Sequence, residues 1–331
     1  MSILVCGGAG YIGSHMVAEL LEKGEDVVII DNFQKGHRDA ILGGKVYEGD
    51  LRDKEILDKV FNENNIEAVI DFAADSLVGE SVIEPLKYFN NNVGGTINLL
   101  EAMRDYNVKN IVFSSTAATY GEPDRVPIKE EDKTFPTNPY GESKLTVEKI
   151  LKWCDKAYGI KYTALRYFNA AGAHVSGKIG EDHKPESHLI PIILQVALGQ
   201  RDKIMIYGDD YSTEDGTCIR DYIHVTDLAN AHLLAVNRLK NGGQSIICNL
   251  GNGTGFSVKE IIEVCRKVTG CNIEAEVAPR REGDPAILIA SSDKAKKQLG
   301  WNPKYNSIKT IVETAWNWHK NHPYGYEEKS L

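Results

Sequence analysis

The sequence predicts an α/β fold: a doubly wound parallel sheet with a smaller, mixed α/β unit beside it. Three observations predict it. Short apolar runs alternate with segments of helical period. A glycine triplet separates the first run from the first helical segment. The second run stops at a carboxylate, Asp31.

Residues 3–6 form the first run, as a buried parallel strand would. Gly7, Gly10 and Gly13 follow with the spacing G-x-x-G-x-x-G. Ile12, Val17, Leu20 and Leu21 can share one helical face, and Gly24 is placed to end that helix. Gly7 can take the tight turn, Gly10 has no side chain to hold a pyrophosphate away, and Gly13 lets the helix pack closely. Phosphates then meet the free N–H groups at the helix start. Residues 27–30 are the second run. Asp31 at its end can accept hydrogen bonds from an adenosine ribose and would repel a 2′-phosphate, so NAD is expected rather than NADP. Further strands are expected at 45–47, 68–72, 111–114, 162–167 and 245–250, completing a Rossmann-type sheet. The cofactor unit is expected over 1–175 with a return at 222–250 that carries a helix over 226–239. The rest of 176–331 would be the substrate unit.

The formal net charge of the 331 residues is −9, which disfavours nucleic acid as a partner. A phosphate-bearing ligand must be held by local arginines or helix ends. Six cysteines without a CxxC pair fit reduced thiols in a cytoplasmic protein. No run approaches membrane-spanning length, no leader is expected, and nine histidines without an HExxH spacing give no expectation of a metal.

Tyr140 and Lys144 lie in Asn138-Pro139-Tyr140-Gly141-Glu142-Ser143-Lys144. Pro139 suits the first position of a helix that Thr146, Val147 and Ile150 continue. Four residues apart, the two side chains share a face. The ammonium is expected to lower the phenol from its ordinary pKa of about 10 and make it a base for a hydroxyl proton. Tyr305 and Lys309 have the same spacing in a late polar segment, where it is read as a surface accident. The first pair follows Phe113-Ser114-Ser115-Thr116, a strand end in the crevice where such sheets bind ligands. Thr116 offers a hydroxyl to bridge a substrate oxygen and Tyr140; its alternative role is to cap a turn.

Together these motifs resemble the extended short-chain dehydrogenases/reductases, and more closely the UDP-galactose 4-epimerases. The closer resemblance is carried by Glu48-Gly49-Asp50-Leu51, Phe72-Ala73-Ala74, Val78-Gly79-Glu80-Ser81, Asn90-Asn91-Asn92-Val93, Arg166-Tyr167-Phe168-Asn169, Leu189-Ile190-Pro191, Arg220-Asp221-Tyr222-Ile223-His224 and Arg280-Arg281-x-Gly283-Asp284. It implies contacts to NAD from Tyr11, Ile12, Asp31, Asn32, Asp50, Leu51, Phe72, Ala73, Ala74, Asn91, Ser114, Lys144 and Phe168. It implies contacts to a UDP-sugar from Asn169, His188, Leu189, Tyr207, Arg220, Arg281 and Asp284. It also implies a homodimer built on helices near 85–103 and 143–154.

The chain departs from the family pattern at three places. Asp75-Ser76 stands where many members carry a lysine near the nicotinamide ribose, Thr116 replaces a serine, and His188 replaces an asparagine. A 4,6-dehydratase would need an Asp-Glu pair after the hydroxyl residue, where this chain has Ala117-Ala118. Leu288 falls where a tyrosine confines some members to plain hexoses, which leaves N-acetylated UDP-sugars open as substrates. A non-catalytic NAD sensor would tend to lose the tyrosine or the lysine, and both are present.

Overall fold

The structure is a computed structural model and describes residues 1–281 and 284–327; Gly283 lies outside the described residues. Seven strands form one sheet: β1 (Ser2–Cys6), β2 (Asp26–Asp31), β3 (Lys45–Glu48), β4 (Ile66–Asp71), β5 (Asn110–Thr116), β6 (Lys161–Tyr167) and β7 (Ile246–Leu250). Their spatial order is β3-β2-β1-β4-β5-β6-β7, and every pairing is parallel. The expected strands are all present. The last of them lies beside β6 at the sheet edge.

Strand parity explains why the sheet is covered twice. Ile3, Val5, Val27 and Ile29 enter one core with Met16, Val17 and Leu20 of α1 (Tyr11–Glu22) and Leu228 and Val236 of a helix over Val225–Lys240. Leu4, Cys6, Val28 and Ile30 enter the opposite core. That core also takes Leu57 and Val60 of α2 (Lys54–Glu63), Leu99 and Met103 of α3 (Gly95–Asp105), and Val147 and Leu151 of α4 (Pro139–Tyr158).

A third core joins the helices Leu189–Ala197, Val258–Thr269 and Ile308–Asn321. Small sheets accompany it. Ile219–His224 pairs with Asn169–Ala171, Gly255–Ser257 and Ile287–Leu288, while Ile204–Tyr207 pairs with Ala275–Ala278. This is the mixed α/β part.

Local signals act as the sequence suggests. Gly24 follows the end of α1 with φ +75°. Pro139 opens α4, and the Asn138 side chain accepts the Gly141 N–H at 2.9 Å. The helical run expected near 85–103 is not uniform: Pro85–Tyr88 passes through a π-helical turn, Phe89–Gly94, before α3. Buried Asn92 of that turn donates to the Asp75 carbonyl and the Ser143 hydroxyl, both at 3.0 Å, which ties the turn to α4.

The glycine turn is tight for a stated reason. Gly7 has φ +72°, and a Cβ on Gly13 would lie 2.0 Å from the Gly7 carbonyl oxygen. That contact is backbone against backbone and cannot relax by rotation. Gly13→Ala should therefore destabilise the fold by about 1–3 kcal/mol, as overpacking does. A lower urea midpoint at unchanged slope reads it.

Candidate active site

The sheet order reverses between β1 and β4, and the crevice opens beyond their carboxyl ends. A cleft of about 680 Å³ lies there, lined by Gly7, Gly10, Tyr11, Ile12 and Gly13 of the first turn. No side chain caps α1 at Gly10, and its first turn carries no acid. A Cβ on Gly10 would meet nothing closer than 3.4 Å, so the glycine leaves open space over uncapped N–H groups. That cradle fits a pyrophosphate.

Asp31 stands buried at the tip of β2 and accepts the N–H groups of Ala9 and Phe33, both at 2.8 Å. Burial raises its pKa and these two donors oppose the rise. The carboxylate thus braces the glycine turn itself, beyond any ribose contact. Asp50 accepts from Asn32 at 2.9 Å and from the Arg52 guanidinium at 2.6 and 2.8 Å, which holds its carboxyl well below the usual range. Leu51 is buried beside it. Asp31, Asn32, Asp50, Leu51, Ala73 and Asn91 lie off the cleft wall, whereas Phe72, Ala74, Ser114, Lys144 and Phe168 line it.

The helix α4 sets the chemistry through side chains four residues apart. Tyr140 and Thr116 line the cleft together, and the Thr116 hydroxyl acts to lower the phenol's pKa. Lys144 is buried, and its Nζ donates to the Ser114 carbonyl at 2.9 Å. Glu148 is buried too; it accepts from Ser115 Oγ at 2.6 Å and from both nitrogens of the Arg166 fork. One helical face therefore presents a phenol to the cleft and anchors two charges beneath it.

The expected lowering of the phenol by Lys144 is not found. Burial raises the Tyr140 pKa, and only the Thr116 hydrogen bond lowers it. The Lys144 ammonium instead donates to β5. Burial pulls Lys144 down to about 8, with the anion of Asp71 opposing. Asp71 is itself pushed up to about 6 by burial, against the pull of Lys144, the Ala73 N–H and the Thr96 hydroxyl. Thr116 caps the turn, its Oγ1 accepting the Ala118 N–H at 3.1 Å, and its hydroxyl faces the cleft beside Tyr140.

The substrate-side residues also gather on this cleft. Asn169, His188, Leu189, Tyr207, Arg220, Arg281 and Asp284 all line it, as does Leu288. Arg220 pairs with Asp284, and the Arg281 guanidinium lies 4.0 Å from the centre of the Tyr207 ring. Ala117 and Ala118 line the cleft after Thr116, and neither can act as an acid or base. At 75–76 no lysine is present; Asp75 lines the cleft and lies 3.8 Å from Lys87, which also pairs with Glu80 at 2.8 Å. The second tyrosine–lysine pair stands apart: Lys309 is exposed beside Glu313, although Tyr305 stacks on His224 and is no accident of the surface.

Several neighbours escaped the sequence reading. Tyr167 bonds Ser114 through its hydroxyl. Asp71 ends β4 as Asp31 ends β2, a parallel the sequence offered. Glu181, His183, Glu186 and His188 bring their ligand-type atoms within 4.8 Å of one another. Their spacing, E-x-H-x-x-E-x-H, is unlike the HExxH pattern.

A family model described as the NAD dependent epimerase/dehydratase family matches residues 3–251. The chain belongs to that family. It is 64% identical over 330 residues to the UDP-glucose 4-epimerase of Halalkalibacterium halodurans, across 100% of this chain and 99% of that one. A solved UDP-glucose 4-epimerase matches with a TM-score of 0.97 and 61% identity, over 99% of this chain and 100% of its own. The UDP-glucose 4-epimerase of Bifidobacterium longum, solved in complex with NAD+ and UDP, matches with a TM-score of 0.93 and 42% identity, over 98% and 100%. In this member of the epimerase/dehydratase family the lysine is coupled to a buried acid. Lys144 is cationic below about pH 8 and loses its charge above it. Removing the anion in Asp71→Asn leaves burial unopposed, so the alkaline limb of kcat/KM should move to lower pH. A pH–rate profile with an unmoved limb contradicts the coupling.

Proposed function

We propose that this chain interconverts UDP-galactose and UDP-glucose by transient oxidation at C4 of the hexose, with NAD bound throughout. The observation that carries the reading is one cleft lined at once by the glycine turn, by Tyr140, Thr116 and Lys144, and by Arg220 and Arg281.

The glycine turn and the first N–H groups of α1 hold the pyrophosphate of the dinucleotide. Asp31, Asn32, Asp50 and Leu51 hold its adenosine end, and Phe72, Ala73, Ala74, Asn91, Ser114, Lys144 and Phe168 hold the remainder. Bound NAD would supply a hydride acceptor and, through its nicotinamide, positive charge beside the phenol. Arg220 and Arg281 supply compact donors for the UDP diphosphate in an otherwise acidic protein. Asn169, His188, Leu189, Tyr207 and Asp284 complete that side.

Tyr140 takes the proton of the 4-hydroxyl. Thr116 already accepts from Ala118, so its own hydroxyl proton is free to bridge sugar oxygen and phenol. With the diphosphate held and the ring free to turn, the 4-keto sugar presents its other face, and Tyr140 returns the proton. A cleft of about 680 Å³ gives the hexose room for that turn. The division of labour follows the two units: 1–175 with 222–250 for NAD, and the rest of the chain for the UDP-sugar.

We propose in addition a homodimer and a cytoplasmic location. Ile83, Leu86 and Trp153 are exposed on or beside the helices that would pair, and light scattering reads the mass. All six cysteines are unpaired, as a reducing compartment permits. Among the described residues no helix is long and apolar enough to cross a membrane.

Tyr140→Phe tests the main reading. Conversion of UDP-galactose, followed by a coupled UDP-glucose assay without added reductant, should fall by about 10²–10⁴-fold. UDP affinity should stay within a few-fold of the parent. Near-parental turnover would refute the role of Tyr140.

A further inference from the structure

The loop before the helix Leu189–Ala197 carries four side chains whose geometry the C4 chemistry does not require. His183 Nδ1 lies 3.1 Å from Glu181 Oε1 and 3.7 Å from Glu186 Oε1, and His188 Nδ1 contacts the same Glu181 oxygen. All four ligand atoms fall within 4.8 Å of one another. We infer that Glu181, His183, Glu186 and His188 form a binding site for one zinc-class divalent cation at the edge of the cleft.

Two independent measures fit such an ion. Ligands at about 2.0–2.1 Å from a tetrahedral zinc lie about 3.3–3.4 Å from each other, which the two His183 separations of 3.1 and 3.7 Å bracket, while the closer His188–Glu181 contact would have to open to admit the ion. The rings give the second. Two imidazoles bound through one nitrogen each to a tetrahedral ion have centroids about 5.2 Å apart. Those of His183 and His188 stand 5.2 Å apart with their planes at 87°. Two edges thus point toward one place without the rings packing face to face.

The donor set selects the class of ion. Two imidazole nitrogens and two carboxylate oxygens suit zinc, whereas calcium and magnesium prefer oxygen alone. Two carboxylates balance the charge of one divalent ion. The Glu181 and Glu186 side chains are 3% and 4% exposed, so the two carboxylates are shielded from solvent, while His188 is half exposed and leaves the ion reachable from the cleft. The supporting contacts are in place as well. Glu186 Oε1 also accepts the N–H groups of Ser187 and His188, at 2.8 and 2.9 Å, and the Glu181 carbonyl accepts from the Trp318 indole at 3.2 Å. Coordination through Nδ1 would keep the proton of His188 on Nε2, on the far side of a ring that lines the cleft. The ion would pin an irregular loop and fix one substrate-side donor in its donating form.

The test uses the untagged full chain, stripped with a chelator and titrated calorimetrically with zinc chloride alone. One equivalent should bind with micromolar or tighter affinity, and the unfolding temperature should rise with added zinc. His183→Asn and Glu186→Gln should each weaken binding at least tenfold and abolish the thermal shift. A crystal of the parent chain, measured at the zinc edge, should show an anomalous peak bonded to His183 and His188, which needs no variant to fold. Failure to take up zinc at tens of micromolar free metal, an affinity unchanged in both variants, or a peak elsewhere would each overturn the proposal. None of these readouts depends on turnover, so epimerase activity stands or falls separately.

Discussion

A buried ammonium at the end of a parallel sheet is the constraint around which the site is arranged. Lys144 has left water, and a buried charge persists only with partners. It finds the Ser114 carbonyl at 2.9 Å and the anion of Asp71. Those partners sit on β5 and β4, on one side of the reversal in strand order. Satisfying the lysine therefore docks α4 against the crevice, and Tyr140, one turn earlier, has nowhere to go but the cleft.

Glu148 makes the docking rigid. One turn beyond Lys144 it meets Ser115 and Arg166, so the same helical face is bolted to β5 and β6. Breaking such a buried pair on one side typically costs about 3–5 kcal/mol. The phenol's position thus rests on two buried charges anchored in the sheet. Burial keeps the phenol above its ordinary pKa in the protein alone.

Much of this was legible in the sequence, because strand, glycine turn and helix speak through local rules. The triplet at 7, 10 and 13, the acid at Asp31, and Pro139 opening a helix each act over a few residues. What stayed hidden depends on residues far apart in the chain. The Lys144–Asp71 coupling joins positions 73 residues apart, and no spacing rule reports it. The π-helical turn at Phe89–Gly94 is set by the fit of Asn92 between Asp75 and Ser143, so the run reads as plain helix from its pattern alone. The four-ligand loop escaped for a different reason: it is local, but irregular backbone rather than helical period brings its atoms together.

Epimerisation through a bound NAD requires that the hydrogen removed from C4 return to the same carbon without meeting solvent. UDP-galactose deuterated at C4 and turned over in ordinary water reads this in one experiment. The UDP-glucose formed should keep the deuterium at C4. Progressive loss of the label to water would contradict it, since that would show the hydrogen leaving as a proton.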